Sequence, residues 1–328
     1  MRALHGRAAS RERNDNQHAG RPGNGAPRAL GPSPGLVLVV AVLAVSWAGP
    51  LVRFSTAPAL AISAWRLLLS VVLLGAIVVA RGGLREIRML ARRDRMLAVL
   101  GGACLAAHFW AWIASLSLTS VASSVVLVNM QPVFVVALSA LFLGERPVRR
   151  QGVGIAIAMV GALVIGWGDF ALGSTALAGD ALALAGAVFV AVYYVIGRRL
   201  RQHLDIWNYA LVVYSIAAAV LVAVIGVHPG VALFGYGRTD WLVFVALALG
   251  PMLIGHTGVN YALRYIPAFV ANLAVLGEPV GATLIAWALP GIRETPTLQT
   301  IVGGAVLLAG IALGASARPQ RATVPHSA

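Results

Sequence analysis

The 328-residue sequence contains no lysine and only one cysteine, Cys104. A single cysteine excludes a disulfide framework within the chain, and its position in the middle of an apolar run favours a small buried hydrophobic residue. The lack of lysine leaves arginine as the strongly basic residue, which we interpret as coding bias without mechanistic meaning. Neither feature therefore assigns a function.

Charged residues are also scarce, at 11% of the chain, whereas hydrophobic residues make up 59%. Ordinary soluble domains have about a quarter charged residues, and a soluble protein of this length could not bury so much apolar surface. About 20 apolar residues, at a rise of about 1.5 Å each, cross the hydrocarbon core of a bilayer. We therefore predict an all-α membrane protein with ten transmembrane helices. The predicted spans cover residues 35–52, 57–80, 96–116, 120–143, 150–167, 179–197, 208–226, 241–261, 267–289 and 298–316.

The polar ends of the chain predict the domain boundaries. Residues 1–33 are rich in Arg, Asn, Gly and Pro and have too few large apolar side chains to fold alone, so we predict a disordered cytoplasmic tail. This stretch does not resemble a signal peptide, because the apolar run after it is too long and a second run follows directly. We predict a first repeat over residues 34–167, a second over 179–316, and a cytoplasmic tail over 317–328.

An internal repeat is the strongest pattern in the sequence. Residues 108–132 and 255–279 align without a gap, and each stretch ends in a proline inside an apolar run. Beyond the prolines, Glu145, Pro147, Gly154 and Gly161 recur at one constant offset as Glu294, Pro296, Gly303 and Gly310. Two copies of an odd number of spans must lie upside down relative to each other. We therefore predict two inverted five-helix repeats, the architecture of many secondary transporters.

The net charge of +14 raises the possibility of nucleic-acid binding, but the distribution of arginine argues against it. With the N-terminus in the cytoplasm, the outer segments contain only Arg53, Arg238 and Arg293, whereas the cytoplasmic segments contain clusters such as residues 81–95 and 198–201. This positive-inside pattern predicts a multi-pass protein of the inner (plasma) membrane with both termini cytoplasmic. We predict no nucleic-acid partner.

The common catalytic motifs are missing from the sequence. It contains no HExxH, no G-x-S-x-G and no cluster of His, Cys, Asp and Glu at metal-ligand spacing. We therefore predict that the protein is not an enzyme and binds neither a cofactor nor a metal.

Two blocks of sequence resemble the drug/metabolite transporter superfamily, specifically its EamA-type members. The first block runs from Ala107 to Gly166 and begins AHFWAWIASLSLTSVASSVVLVNMQP. The second runs from Asn260 to Leu313 and begins NYALRYIPAFVANLAVLGEP. Arg66 in AWRLLLS and Trp47 also fit the family pattern. The family usually continues the ninth helix into a Gly-Glu pair. Here residues 288–292 intervene before Arg293 and Glu294, so the outer end of the ninth span departs from the family pattern. The resemblance implies a central cavity between two halves and transport of small metabolites or drugs, often outward and by proton exchange.

Polar groups inside apolar spans are the candidate functional residues, because each is costly in hydrocarbon unless it faces a cavity or a partner. Glu278 is the only acidic residue well inside a predicted span, and Pro279 follows it. Helical spacing places Glu278 on one face with Ala271, Ala274, Ala282 and Ala286. Such a stripe indicates tight packing or a cavity wall; a carboxylate favours the cavity, where it could carry a proton.

The first repeat offers further candidates. Gln131 is equivalent to Glu278 and lies near Asn129 before Pro132, so it could bind substrate or form an interhelical hydrogen bond. Arg66 lies nine residues into the second span and needs an anion, either Glu278 or a substrate carboxylate, or a polar cavity. It would be merely interfacial if that span began later.

Histidines and aromatic residues complete the candidate set. His108 and His256 lie in the third and eighth spans and could relay protons or bridge helices, with Asn260 one turn after His256. Aromatic side chains inside spans, which could line a vestibule or fill the core, are Trp47, Trp110, Trp112, Tyr193 and Tyr194.

These features together predict a secondary active transporter that works by alternating access around Gln131 and Glu278, with proton exchange. Export is favoured by the resemblance, and the alternative is a passive channel or facilitator for small polar solutes. The predicted partners are a small-molecule substrate, protons and the lipid bilayer. Small residues at Gly154 and Ala158, and at Gly310 and Gly314, predict a close helix approach within the bundle or at a homodimer seam.

Overall fold

A computed structural model of the protein describes residues 32–119, 121–166, 174–290, 292 and 295–316. These residues form helices joined by short turns, and no strand occurs among them. The predicted tail at 1–33, apart from its last two residues, and the tail at 317–328 lie outside this part, as do Arg293 and Glu294.

Eight helices occur among the described residues of the first half of the chain. They are α1 (Pro34–Val45), α2 (Ala48–Val52), α3 (Ala59–Ala80), α4 (Leu84–Arg88), α5 (Arg92–Ser115), α6 (Val121–Val128), α7 (Gln131–Phe142) and α8 (Arg149–Gly166). The second half contains α9 (Ser174–Leu200), α10 (Ile206–Val227), α11 (Arg238–Leu247), a π-helical segment (Ala248–His256), α12 (Thr257–Ala262), α13 (Ala268–Val275), α14 (Glu278–Ala288) and α15 (Leu298–Ala315).

The described residues contain seven helical stretches that are long and apolar enough to cross a membrane. The protein is therefore a multi-pass membrane protein. The stretches are Pro34–Val52, Ala59–Ala80, Arg92–Ser115, Thr175–Leu200, Ile206–Val227, Arg238–Ala262 and Ala268–Ala288. Shorter apolar helices cover Gln131–Phe142 and Ile301–Ala315. Seven stretches meet the criterion where ten were predicted, and the ten-span count stays a prediction.

Several predicted spans are not continuous helices, which corrects the sequence-based picture. Turns interrupt them at Ser46–Trp47, at Asn129–Met130 and at Leu276–Gly277. Each break lies just before a proline, which has no N–H to donate to the carbonyl four residues earlier. Glu278 therefore begins a new helix, and the predicted alanine stripe is divided between α13 and α14.

Proline has the same effect in the eighth predicted span. Pro251 cannot donate to the carbonyl of Leu247, and α11 ends at Leu247. The chain continues as a nine-residue π-helical segment before returning to α-helix at Thr257. A wider π turn re-aims the side chains that follow it, and such turns are frequent at functional sites. His256 is the last residue of this segment.

Helices α8 and α15 pack antiparallel, with glycines at their contacts. A Cβ atom on Gly154 would lie 2.7 Å from the carbonyl oxygen of Gly310, and one on Gly161 would lie 2.7 Å from that of Gly303. Both distances are too short for a real Cβ, so only glycine permits this approach. The predicted close approach of small residues is confirmed, and it lies within the chain.

The core brings one face of each long helix inward. Helix α5 packs on α9, and α10 packs on α3 and α5. Buried residues on these faces include Leu67 of α3, Leu105 of α5, Ala191 of α9 and Val213 of α10. This arrangement turns the polar residues on the same faces toward the centre of the bundle.

Candidate functional site

A small cavity lies among helices of both halves. Its volume is about 40 Å³, which holds on the order of three waters. Eight of the twelve candidate residues from the sequence line it: Arg66, His108, Trp112, Asn129, Gln131, Tyr194, His256 and Glu278. The other four, Trp47, Trp110, Tyr193 and Asn260, are not among its lining residues.

The helix breaks deliver several of these residues to the cavity. Asn129 lies in the turn between α6 and α7, and Gln131 is the first residue of α7. Glu278 is the first residue of α14, the equivalent position in the second half. The residues that end α6 and α13, Val128 and Val275, also line the cavity, and the following prolines leave their carbonyls without an i+4 donor.

Arg66 is held inside the bundle with little hydrogen bonding. It is 1% exposed, so its guanidinium is enclosed by protein. Its Nε and Nη1 atoms have no hydrogen-bond partner, and its Nη2 atom reaches only Met252 Sδ at 3.9 Å. Its Cζ atom lies 4.0 Å from the ring centroid of Phe109, a cation–π contact. No ion pair to Arg66 occurs within the described part of the chain.

Glu278 is the acidic member of the cavity. Its backbone carbonyl accepts a hydrogen bond from Ser46 Oγ at 3.4 Å, which joins the turn between α1 and α2 to the start of α14. Among the described residues, no hydrogen bond reaches its carboxylate. A carboxylate at the first turn of a helix is favoured by the helix dipole, and here it also faces the cavity.

The two histidines lie side by side. Their ring centroids are 6.2 Å apart, and His108 Nδ1 lies 2.9 Å from the Gly186 carbonyl oxygen. A carbonyl only accepts, so His108 Nδ1 carries the hydrogen and Nε2 is free to accept. His256 Nδ1 has no partner in the described structure, and its ring stacks on Tyr194 at 6.4 Å. The cavity therefore has acceptors and donors beyond its charged pair.

Asn260 and Trp47 have other surroundings. Asn260 Nδ2 donates to the Tyr193 hydroxyl and to the His256 carbonyl, so it joins α9 to the π-helical segment. Trp47 lies in the turn between α1 and α2 and is 42% exposed. The cavity walls instead include Phe109 and Trp112. Sequence reasoning missed Phe109, because one aromatic residue among many apolar ones has no distinguishing signal.

Polar contacts tie the two halves together at one end of the bundle. Arg198 Nε donates to Glu145 Oε1 at 2.8 Å, and its Nη1 donates to the Leu263 carbonyl at 2.6 Å. The Ala268 N–H donates to Glu145 Oε2 at 3.4 Å. We call these contacts the Glu145 tie. From the sequence, Glu145 was recognised only as the counterpart of Glu294 in the internal repeat.

A second set of contacts joins the halves at the opposite end. Ser55 Oγ donates to Asp240 Oδ1 at 2.6 Å, and the Thr56 N–H donates to the same oxygen at 2.9 Å. The Gly237 N–H donates to Asp240 Oδ2 at 3.2 Å. We call these contacts the Asp240 tie. Asp240 lies near the start of the helical stretch Arg238–Ala262 and Leu263 follows its end, so the two ties are separated by the length of a span.

Comparison with known proteins identifies the type of chain. The profile of the EamA-like transporter family matches residues 34–167 and 177–315. A protein of Streptantibioticus cattleyicolor named "Probable terminal-alkyne amino-acid exporter" is 29% identical over 73% of this chain and 78% of its own. The pseudopaline exporter of Pseudomonas aeruginosa is 30% identical over 64% of this chain and 70% of its own.

A solved crystal structure has the same fold. It matches with a TM-score of 0.70 at 21% identity, over 85% of this chain and 95% of that chain. At this identity the likeness concerns the arrangement of the helices alone.

Proposed function

We propose, from the premise that this chain belongs to the EamA-like transporter family, that it exports small metabolites in exchange for protons. The protein is a membrane transporter and not an enzyme. Two of its relatives are named as exporters, one a probable exporter of a terminal-alkyne amino acid and the other of pseudopaline, which supports the outward direction. The remaining elements of the proposal rest on the cavity.

The observation that carries the proposal is the pair of opposite charges in one small cavity. Arg66 comes from the first half and Glu278 from the second, and both line the same space. Charged groups inside a membrane protein are costly and generally mark pathways for ions or substrates. Neither group has a charged protein partner in contact among the described residues, so their arrangement is better suited to a ligand than to holding the fold together.

Inverted repeats of five spans each are part of the proposal. Gly154 and Gly161 of α8 correspond in sequence to Gly303 and Gly310 of α15. The observed contacts pair Gly154 with Gly310 and Gly161 with Gly303. When each glycine is replaced by its counterpart in the other repeat, the first contact becomes the second. Such reciprocal pairing is expected of a two-fold axis, and between antiparallel membrane helices that axis lies in the membrane plane, as in inverted repeats.

The size of the cavity and the two ties support alternating access. A space for on the order of three waters is too small for a metabolite, so the halves must move apart to admit one. The Glu145 tie and the Asp240 tie each cross the halves, at opposite ends. We infer that they open one at a time, the Glu145 tie facing the cytoplasm because the arginine-rich loops lie at that end. Both termini are then cytoplasmic, and the protein lies in the inner membrane.

Glu278 is the proposed site of proton exchange. Protonation removes its negative charge, so a bound proton and a substrate ammonium compete for it. The other titratable groups that line the cavity are Arg66, His108, Tyr194 and His256. The two histidines line the same cavity as Glu278, so we assign them the relay of protons to Glu278 through water.

The test uses purified protein in proteoliposomes that contain a pH-sensitive dye. A mixture of the twenty common amino acids, nucleosides and quaternary ammonium dyes is added, and proton movement is followed. We expect proton movement with the native protein and none with Glu278→Gln. Asp205→Asn is the matched control, because Asp205 caps α10 at its Trp207 N–H and does not line the cavity.

The alternative, a passive facilitator, gives a different result. Solute would then equilibrate across the membrane without proton movement, and Glu278→Gln would leave the rate unchanged. That outcome would overturn proton exchange while keeping the transporter.

A further inference from the structure

We propose that residues 81–96 form a binding surface for anionic phospholipids, and we call them the arginine segment. The segment joins the helical stretch Ala59–Ala80 to the stretch Arg92–Ser115, both long and apolar enough to cross the membrane. It therefore lies at a membrane surface, whichever way the chain is inserted. The inference goes beyond the proposed function and does not depend on it, because the segment contributes no residue to the cavity.

The charge of the arginine segment is strongly positive. It contains six arginines and two acidic residues. All six arginines are exposed to solvent, and none of them forms an ion pair within the described part of the chain. They are Arg81, Arg85, Arg88, Arg92, Arg93 and Arg95. Their donors are therefore available to an anion from outside the protein.

Both acidic residues of the segment bind the second half of the protein instead. The carboxylate of Glu86 accepts from the side-chain amide of Asn208 and from the Asp205 N–H, the latter at 3.3 Å. His203 Nε2 lies 3.0 Å from Asp94 Oδ2. The two carboxylates are thus occupied by polar groups near the start of α10. The arginines are left without an acidic partner.

The apolar side chains of the segment form two sets. Leu90 belongs to the buried core and Ile87 packs against it, which fixes α4 on the protein. Leu84 and Met89 point away from the core and are 40% and 72% exposed. Met96, in the second turn of α5, is 63% exposed. Exposed apolar side chains beside basic ones are typical of segments that lie in the membrane interface.

This combination fits a phospholipid better than a soluble anion. Guanidinium groups bind phosphate oxygens through paired N–H donors, and basic clusters next to a span attract anionic headgroups. A soluble phosphate would use the arginines but would leave Leu84 and Met89 in water, whereas a lipid uses both sets of side chains. The positive-inside rule requires only basic residues in such a loop. It does not require the acidic residues to be occupied or the apolar ones to be exposed.

The experiment measures which lipids surround the segment. Met96→Cys is labelled with bimane in a Cys104→Ala background, and the full-length protein is placed in phosphatidylcholine nanodiscs. A small fraction of the lipid carries a nitroxide quencher on its acyl chain, attached to either phosphatidylglycerol or phosphatidylcholine. We expect the labelled phosphatidylglycerol to quench at an about fivefold lower mole fraction, the effect of at least one arginine held near an anionic headgroup. Equal quenching by the two lipids would overturn the proposal.

Removal of charge from the segment should abolish most of this preference. The test variant is Arg85→Gln/Arg88→Gln/Arg92→Gln. Quenching by labelled phosphatidylcholine should be the same as in the parent, which shows that the segment still lies at the membrane surface. An undiminished preference for phosphatidylglycerol in this variant would mean that the arginines do not bind the lipid.

The matched control removes three exposed arginines from a different loop, as Arg146→Gln/Arg149→Gln/Arg150→Gln. It should keep the preference of the parent. If it lost the preference as fully as the test variant, the effect would follow the total charge of the protein, and the arginine segment would not be the binding surface.

A competition experiment separates a lipid from a free phosphate. Glycerol 3-phosphate has the same phosphate chemistry without the acyl chains, and it is compared with sodium chloride at equal ionic strength. We expect the two to weaken the preference equally, because both only screen the charges. If glycerol 3-phosphate abolished the preference and sodium chloride did not, the surface would be a site for a soluble phosphate, and the lipid assignment would be wrong.

Discussion

Gly154 and Gly310 bring two helices from different halves of the chain into backbone contact. A Cβ atom on Gly154 would lie 2.7 Å from the Gly310 carbonyl oxygen, and the reciprocal pair, Gly161 and Gly303, gives the same distance. The contact holds α8 and α15 together without large side chains. It therefore forms a fixed part of the bundle.

The first prediction concerns this seam. Gly161→Ala should lower the midpoint of thermal unfolding, because overpacking of this kind costs about 1–3 kcal/mol and the obstructing atoms belong to the backbone of α15. Gly152→Ala is the control on the same helix, since a Cβ there meets nothing within 4 Å. It should be neutral or slightly stabilising, as alanine is favoured over glycine in helices. Unfolding in detergent can be followed by tryptophan fluorescence, and equal midpoints for the two variants would contradict the close packing.

The second prediction concerns the stability of the charged pair. Removing one member of a buried pair leaves an uncompensated charge, which typically costs about 3–5 kcal/mol when the pair is in contact. We expect a smaller loss for Arg66→Gln here because no direct ion pair is formed, and we expect the double variant Arg66→Gln/Glu278→Gln to recover part of it.

The measurement is a double-mutant cycle on thermal unfolding in detergent. The loss of stability in the double variant should be smaller than the sum of the losses in the two single variants. Strict additivity would mean that the two charges do not influence each other.

The third prediction concerns the Glu145 tie. Arg198→Gln removes the ion pair to Glu145, so the cavity should open more often toward the arginine-rich end. The reporter is Val128→Cys, a cavity-lining position, in a Cys104→Ala background. Its reaction with a membrane-impermeant maleimide should be faster from the cytoplasmic side in inside-out vesicles.

Arg199→Gln is the matched control for this experiment, because it removes the neighbouring arginine and leaves the tie intact. It should react like the parent. Faster labelling in Arg199→Gln, or unchanged labelling in Arg198→Gln, would argue against a gate at Glu145.

The fourth prediction concerns the opposite end. Asp240→Asn leaves one acceptor oxygen where the carboxylate has two, so the hydrogen bonds from Ser55 and Thr56 and from Gly237 cannot all be kept. This end should therefore open more often. The same Val128→Cys reporter should then react faster from the outer side, in right-side-out vesicles. Ser55→Ala removes one bond of the tie and should give a smaller increase. An increase on the cytoplasmic side instead would reverse the assignment of the two ends.

Much of the cavity could be predicted from the sequence, because charges and amides inside apolar runs are rare and costly. Arg66, Gln131 and Glu278 were found in this way, and the structure brings them to one space. The helix breaks were harder, since a proline inside a membrane span is compatible with a kink or with a new helix. Phe109 was missed because one aromatic among many apolar residues has no distinguishing signal.

The ties could not have been predicted from the sequence. Glu145 and Asp240 lie near span ends, where an acidic residue is ordinary, and their partners are distant in the chain. Only the fold brings Arg198 beside Glu145 and Ser55 beside Asp240. The antiparallel seam was predictable as a small-residue pattern, but its partner helix was not.

The last prediction is that transport carries charge. A solute without net charge adds none to the cavity, whereas a proton on Glu278 adds one. If each outward passage of substrate is coupled to one inward proton, a full cycle moves one positive charge into the cytoplasm. A membrane potential changes the energy of such a step by about 2.3 kcal/mol per 100 mV, so a potential that is negative inside should accelerate export several-fold at saturating substrate. Proteoliposomes with a potassium gradient and valinomycin set the potential, and the transported probe is a solute without net charge that drives proton movement in the dye assay. A rate that did not respond to the potential would require exchange without net charge, and Glu278 would then need a second, compensating ion.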